Sequence, residues 1–516
     1  ELNNYLNLIG KTRQKKPCVC MNRSKIRIFV ILIVCLATFL RFYKISDRFI
    51  FTLDEEYQAT LAKTVVDNFH IIWVGVSASA GLYMGPLWTY FTAFWLYLSK
   101  NDPLITSYVS AAIGVLTTAL VFYVGQKQFG TRVGILASFL YATLPIIIFF
   151  DQRYWNPSLV PLLALLMYFS LANIQNSPWW WVLFAICVGL IFNTHLAALP
   201  LILIGLYQLI RFGKKLSRKV FLISAVTFVI FVSPLMAFYY FNHSIKFHVN
   251  TDETTKINPV HKSKALFSFL GRYLYLNPYG ISSDEAEWSC SPTAIYNFQS
   301  DPASTQTRPS IIISLLGLVM ILVFITRQST WKDESKKILA LCILTILTAF
   351  IFYPGMALEY YLLPIFPLLV YIPGLIVPSK KLSKTIFLLI FTLAIPISGV
   401  FTIMTSKGDF GVANKRKLID QVMEKVKDEP FVLLEDGNCH TWQGWRYLFS
   451  VYGRRPERSS VDNTLSWLYP DEISTQKSKY NVVVYDTRSN AGVKWSGYTY
   501  EVSSGGFTAK IYANRN

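Results

Sequence analysis

Charged side chains are scarce in this 516-residue chain: Asp, Glu, Lys and Arg together make only 15% of it, against about 25% in an ordinary globular protein. Beside 53% apolar and 16% aromatic residues, that shortage excludes a disordered chain. It also excludes a soluble nucleic-acid binder, the class a net charge of +19 would otherwise suggest. Cysteine is sparse too, and the seven present show no zinc-like or redox spacing. Cys18-Val-Cys20 has no second half, while Cys35, Cys187 and Cys342 lie inside apolar runs, where a small buried hydrophobe is expected. No nucleotide-binding loop is found. What is plentiful is apolar sequence in blocks: mean hydropathy is +0.37 although long stretches are polar. The chain is expected to live in a membrane.

Residues 1–20 read as an appendage ahead of Met21-Asn-Arg-Ser-Lys-Ile-Arg, which has the look of a natural start. The run Ile28 to Leu40 resembles the apolar part of a signal peptide, but Arg41-Phe-Tyr-Lys follows it where a cleavage site would need small residues. It is read as an uncleaved first transmembrane helix. A span needs roughly 20 mainly apolar residues. Eleven stretches qualify: 26–45, 104–125, 132–150, 157–174, 178–194, 196–212, 219–241, 309–327, 336–354, 358–377 and 383–404. Pro86 to Leu98, at about 13 residues, is too short to cross and is read as a helix lying at the surface. With that reading, the basic clusters Lys11 to Arg27, Lys127/Arg132, Arg211 to Lys219, Arg327 to Lys337 and Lys380 to Lys384 all fall on one side. By the positive-inside rule that side is the cytoplasm of a plasma-membrane protein.

The expected organisation is a cytoplasmic segment 1–25, a transmembrane domain 26–404 and a soluble extracytoplasmic α/β domain 405–516. The transmembrane domain has a first outer loop over 46–103 and a large one over 242–308, the latter with six bases and six acids. In the soluble part, Leu418, Val422 and Val426 share a helical face. Phe431-Val-Leu-Leu and Asn481-Val-Val-Val-Tyr read as buried strands, and Tyr498 to Val502 with Phe507 to Tyr512 as a closing hairpin.

Four outer loops bring chemistry-bearing residues to the same face. Phe51-Thr-Leu-Asp54-Glu55-Glu56-Tyr57 puts three consecutive carboxylates beside an apolar helix, a costly arrangement unless used. The plainer reading is a helix cap from Thr52 or Asp54, with the glutamates complementing the helix dipole. Asp151-Gln-Arg153-Tyr-Trp-Asn156-Pro157 offers a guanidinium whose planar donors suit phosphate oxygens, or an interfacial anchor. Asn193-Thr-His195 and Glu359-Tyr360-Tyr361 close the set; each could bind a sugar or headgroup, or merely end a helix. Together they suit a reaction on a lipid-linked substrate. A carboxylate deprotonates an attacking hydroxyl while cations stabilise a departing lipid phosphate.

The order of these segments resembles that of the GT-C fold glycosyltransferases, the type that includes protein O-mannosyltransferases and the aminoarabinose transferase of lipid A. The matching segments are Asp54-Glu55, Gly85-Pro86-Leu87-Trp-Thr-Tyr90, Gln128-Phe-Gly-Thr-Arg132, Arg153-Tyr-Trp-Asn-Pro157, Asn193-Thr-His195 and Tyr360-Tyr-Leu-Leu-Pro-Ile-Phe-Pro367. The resemblance covers about 26–404. It implies an all-α polytopic fold with about 11 transmembrane helices and inverting transfer of one sugar from a polyprenyl-phosphate donor. The acceptor would be a lipid, glycan or protein. Asp54 would be the general base, with Glu55 supporting its geometry. Arg153 would meet the donor phosphate, with Asp151, Asn156, His195, Glu359, Tyr360 and Tyr361 around donor and sugar. No cofactor is certain. Some members bind a divalent metal through acids at positions where this chain has Met84-Gly85 and Asn156, leaving Asp151 as the substitute. The rival class is a transporter or flippase of lipid-linked saccharides; no internal repeat of the kind transporters carry is found. Cys290 and Cys439, both expected outside, are left as a bridge or as free thiols.

Overall fold

A computed structural model describes residues 23–77, 82–242, 259–275, 311–353, 358–406, 408–436, 444–474, 477–486 and 497–514. The amino-terminal segment up to residue 22, most of the large 242–308 loop, Cys290 and Cys439 lie outside the described residues.

Each of the eleven apolar stretches is helical. By length and apolarity, six of the described helices can cross a membrane, and a seventh if one bent pair counts as a single span. Trp180–Ile191, Ile311–Thr326 and Glu359–Leu369 are apolar but shorter than a full crossing. Proline explains part of this shortening. Pro364 sits inside the 3₁₀ segment Glu359–Ile365, and a residue without an N–H interrupts the α-helical ladder. The short apolar run Pro86 to Leu98 is helical over Leu87–Leu98.

The elements that carry the site are labelled in chain order: α1 (Arg23–Phe42), α2 (Leu53–Asn68), α3 (Leu87–Leu98), α4 (Leu104–Phe129), α5 (Thr131–Thr143), α6 (Pro145–Asp151), α7 (Pro259–Leu274), α8 (Val412–Val426) and α9 (Trp445–Tyr452). Helices α5 and α6 form the bent pair, turning by 66° at Leu144. Pro145 has no N–H for the carbonyl of Tyr141, so the bend leaves polar backbone unpaired in an apolar setting. Arg41, at the end of α1, supplies the missing donors: its guanidinium reaches Tyr141 O at 3.1 Å and Ala142 O at 3.4 Å. Its Nε donates to Asp151 Oδ2 at 2.8 Å, and neither side chain is more than 7% exposed.

Helix α3 is locked to the spans by Asn193. The Asn193 Oδ1 accepts from Leu87 N–H at 3.2 Å, while Nδ2 donates to Gly189 O and Phe231 O. This contact needs glycine at position 85, because a Cβ there would lie 2.1 Å from Asn193 Oδ1. Gln58 in turn ties α2 to α3 by donating to Thr89 and Thr92.

The carboxy-terminal module is a five-stranded sheet with helices against it. Its strands are β1 (Phe431–Asp436), β2 (Arg458–Ser459), β3 (Tyr480–Asp486), β4 (Tyr500–Ser504) and β5 (Phe507–Ala513), in the order β2-β1-β3-β5-β4. β1 runs parallel to β2 and β3, while β5 is antiparallel to both β3 and β4. Helix α8 buries Leu418, Val422 and Val426, the face read from the sequence. The module does not hang from a linker alone. Its core is continuous with Phe49, Ile50 and Phe51, the residues that lead into α2.

Candidate active site

The three consecutive carboxylates have three different fates. Thr52 caps α2, and Glu55 completes a capping box: its Oε2 accepts from Thr52 N–H at 2.9 Å and from Thr52 Oγ1 at 2.5 Å. Glu55 also takes Arg153 Nε at 2.5 Å, with only 1% and 6% of the two side chains exposed. Burial alone would raise the Glu55 carboxyl, but the Arg153 guanidinium and the Thr52 donors outweigh it and hold the group below the usual carboxylate range. Glu56 points the other way, into the carboxy-terminal module, where burial pushes its carboxyl up to about 7. Asp54 remains at the surface, its side chain 59% exposed, with its Oδ2 3.3 Å from Arg153 Nη2.

Arg153 therefore serves both acids. Its Nη2 also reaches Thr52 Oγ1 at 3.1 Å, and its guanidinium carbon lies 3.6 Å above the centre of the Trp155 ring. The turn that carries it is fixed by hydroxyls: Ser110 and Ser158 both donate to Arg153 O, and Ser107 to Gln152 O. Asp151, two residues earlier, turns its carboxylate to Arg41. Asn156 opens the 3₁₀ turn Asn156–Leu159 and is half-buried.

From Trp155 an aromatic wall continues across the other two loops. The Trp155 and Tyr360 rings meet edge to face at 4.9 Å, and Tyr360 meets His195 at 5.5 Å and Tyr361 at 4.5 Å. His195 also faces Tyr361 at 6.0 Å, and Tyr361 faces Tyr353 at 5.0 Å. Asp54 joins this wall through Arg153, which pairs with the acid and lies over the Trp155 ring. His195 Nδ1 accepts the Ala197 N–H at 3.1 Å, and burial holds the imidazolium down to about 4. The ring is thus neutral at pH 7, with its proton on Nε2. Glu359 is paired with Arg272 of α7 at 2.8 Å, 1% and 10% exposed. Lys262, also on α7, lies 5.4 Å from the centre of the Tyr353 ring.

Of the residues singled out in the sequence, the structure joins Asp54, Glu55, Arg153, His195, Tyr360 and Tyr361 in one continuous set. Asp151 and Glu359 are held in separate ion pairs with Arg41 and Arg272. The sequence reading missed Lys262 and Arg272, although two buried cations on one amphipathic outer-loop helix were a usable signal. Among the described residues no three His, Cys, Asp or Glu side chains gather to hold a metal ion. Among the described residues, with Glu55 spent on Arg153 and Gly85 and Asn156 supplying no acid, the donor set does not fit a divalent cation.

Comparison with known proteins adds two findings. Residues 84–238 match the dolichyl-phosphate-mannose-protein mannosyltransferase family. Among solved structures, the chain is similar to ArnT from Cupriavidus metallidurans bound to undecaprenyl phosphate, with a TM-score of 0.58 at 11% identity. The match covers 94% of this chain and 98% of ArnT. The apo state of ArnT gives the same score and coverage at 12% identity. The apo oligosaccharyltransferase of Archaeoglobus fulgidus is similar at a TM-score of 0.51 and 13% identity, over 90% of this chain and 70% of that one. No curated protein matches the chain by sequence. Identities this low speak to fold. Motif order, architecture and the matched segment agree, and the chain is a multi-pass membrane protein with the GT-C glycosyltransferase fold.

Proposed function

We propose that the chain transfers one monosaccharide from a polyprenyl-phosphate donor to a lipid, glycan or protein acceptor at the outer membrane face, inverting the anomeric centre. The observation that carries this reading is the contrast between Asp54 and its neighbour. Glu55 is buried and neutralised by Arg153, whereas Asp54 is held by the same guanidinium yet stays open to solvent. That is the arrangement a general base needs, fixed at one oxygen and accessible at the carboxyl. The acceptor hydroxyl attacks the anomeric carbon opposite the lipid phosphate. The new C–O bond forms as the C–O bond to phosphate breaks, Asp54 takes the proton, and the lipid leaves as its phosphate.

The remaining residues fit supporting roles. Arg153 orients Asp54, and with Lys262 and Arg272 it supplies positive charge near the departing phosphate. Tyr360 and Tyr361 give the sugar a face to lie on, and His195 Nε2–H is available as a donor to a sugar hydroxyl. Asp151 acts by holding the bend from which Arg153 projects. The basic clusters support an orientation with the amino terminus in the cytoplasm and the carboxy-terminal domain outside. The ArnT structure, solved with undecaprenyl phosphate, supports a lipid phosphate as the leaving group.

The test is release of lipid phosphate from purified protein incubated with polyprenyl-phosphate-linked mannose, glucose and aminoarabinose. Release from at least one is expected, and Asp54→Asn should reduce it by about 10²–10⁴-fold without loss of folding. Undiminished turnover by Asp54→Asn, or no release from any donor with membrane lipids present as acceptors, refutes the reading.

A further inference from the structure

Both flanks of Asp54 are held by the carboxy-terminal module. Upstream, Phe51 sits in the left-handed backbone region at φ 47, a conformation that a bulky residue adopts only when its surroundings impose it. The imposing groups are visible. Lys415 of α8, fully buried, donates from Nζ to Phe51 O at 3.0 Å, and Val412 N–H donates to Phe49 O at 2.7 Å. The backbone of Gly444 passes close to the same carbonyl. At φ 92 it is a position for glycine, and a Cβ there would lie 2.3 Å from Phe51 O. Downstream, the Glu56 carboxylate accepts from Gly444 N–H at 3.1 Å and Tyr447 N–H at 2.8 Å. These are donors at the start of α9 that the helix itself leaves unpaired. Glu56, in the transmembrane domain, is thus the cap of a helix in the soluble module.

We infer that the carboxy-terminal domain is a positioning device for the base: Lys415 and Glu56 pin the backbone on either side of Asp54 and set the direction of its carboxylate. This rests on the proposed role of Asp54. Neither residue touches substrate; both act through the segment 51–56. A domain fastened only to recruit an acceptor has no need to hold a strained backbone three residues before the reacting carboxyl. The clamp couples the domain's docking to the chemical step.

The test uses the full-length protein with the donor best turned over in the panel above, water as acceptor, and release of lipid phosphate as the readout. Glu56→Gln and Lys415→Met should each lower kcat by about 10- to 100-fold, the scale of a small misplacement of a reacting group. The donor KM should stay within about twofold, since interactions shared by ground and transition states are untouched. Tyr452→Phe removes a different tie, the hydroxyl bond to Asp102 Oδ1, and should leave kcat unchanged. Unchanged kcat in the Glu56 and Lys415 variants overturns the inference, as does an equal loss in Tyr452→Phe or a fall matched by a rise in KM. Should the buried-charge variants not fold, Gly444→Ala reads the same contact from the module's side. A drop in kcat at constant KM supports the inference and an unaltered kcat overturns it. The two readings fail separately. Turnover by Asp54→Asn removes the base, while an inactive Asp54→Asn beside fully active clamp variants removes only the clamp.

Discussion

Removing Arg153 tests how the acid cluster is balanced. Arg153→Met keeps much of the side chain's length but leaves Glu55, a side chain only 1% exposed, without its cation. Breaking a buried pair from one side costs about 3–5 kcal/mol, because the surviving charge is stranded. Loss of the contact with Trp155 adds roughly 1 kcal/mol. The double variant Glu55→Gln/Arg153→Met removes both charges, so the stranding cost disappears and a deficit of about 1–2 kcal/mol remains. Detergent-solubilised membrane proteins seldom unfold reversibly, so the readout is the temperature at which monodisperse protein is lost on heating, compared at one heating rate. The single variant should fail at a clearly lower temperature than the parent, with the double variant in between and nearer the parent. Activity should not follow that order. Asp54 loses its partner at 3.3 Å in both variants, so both should turn over donor poorly. A single variant as stable as the parent refutes the stranded-charge reasoning, and a double variant that regains turnover refutes the orienting role of Arg153.

Two further outcomes follow from particular contacts. Gly85→Ala pushes a methyl group into Asn193 Oδ1 and should cost about 1–3 kcal/mol, the range for overpacking. A thermal-stability comparison checks it, and Gly85→Ala melting with the parent shows that the Asn193 clamp is loose. His195, held down to about 4, stays neutral in the folded protein while an unfolded histidine takes up a proton near 6.5. Between those values the unfolded state binds more protons, so stability falls as pH drops from about 6.5 to 4. For a partly exposed ring the loss is about 2 kcal/mol. His195→Gln should flatten the acid limb of a stability–pH curve, and an unaltered limb shows that histidine is not its source.

Much of the architecture was legible in the sequence because apolar blocks and strand patterns are local signals. Each expected apolar stretch is helical, the helix in the short apolar run begins one residue from its predicted start, and both predicted buried strands lie side by side in the sheet. Partner choice was not legible. Glu55, Glu56 and Asp54 are indistinguishable by spacing, and only packing decides which meets Arg153, which caps a helix in another domain and which stays in water. Asp151 and Glu359 could be read as ligand-facing because their cations, Arg41 and Arg272, are far away in the chain. The plain capping reading of the acidic run holds for Glu55, and it holds together with the ion pair rather than instead of it. The broken span was missed for a similar reason. A proline inside an apolar run announces a lost hydrogen bond, but not the arginine that replaces it.

That replacement governs where the two halves of the acid–guanidinium cluster arrive. Arg41 and Asp151 form a pivot from which two short arms extend, one along the chain to Thr52 and the acids, the other to Arg153 just beyond. Both arms start from one ion pair and meet again where Arg153 Nη2 reaches Thr52 Oγ1, so acid and guanidinium close a ring of contacts. The elbow in the third span, which looks like a defect in a membrane helix, forms one side of that closed ring.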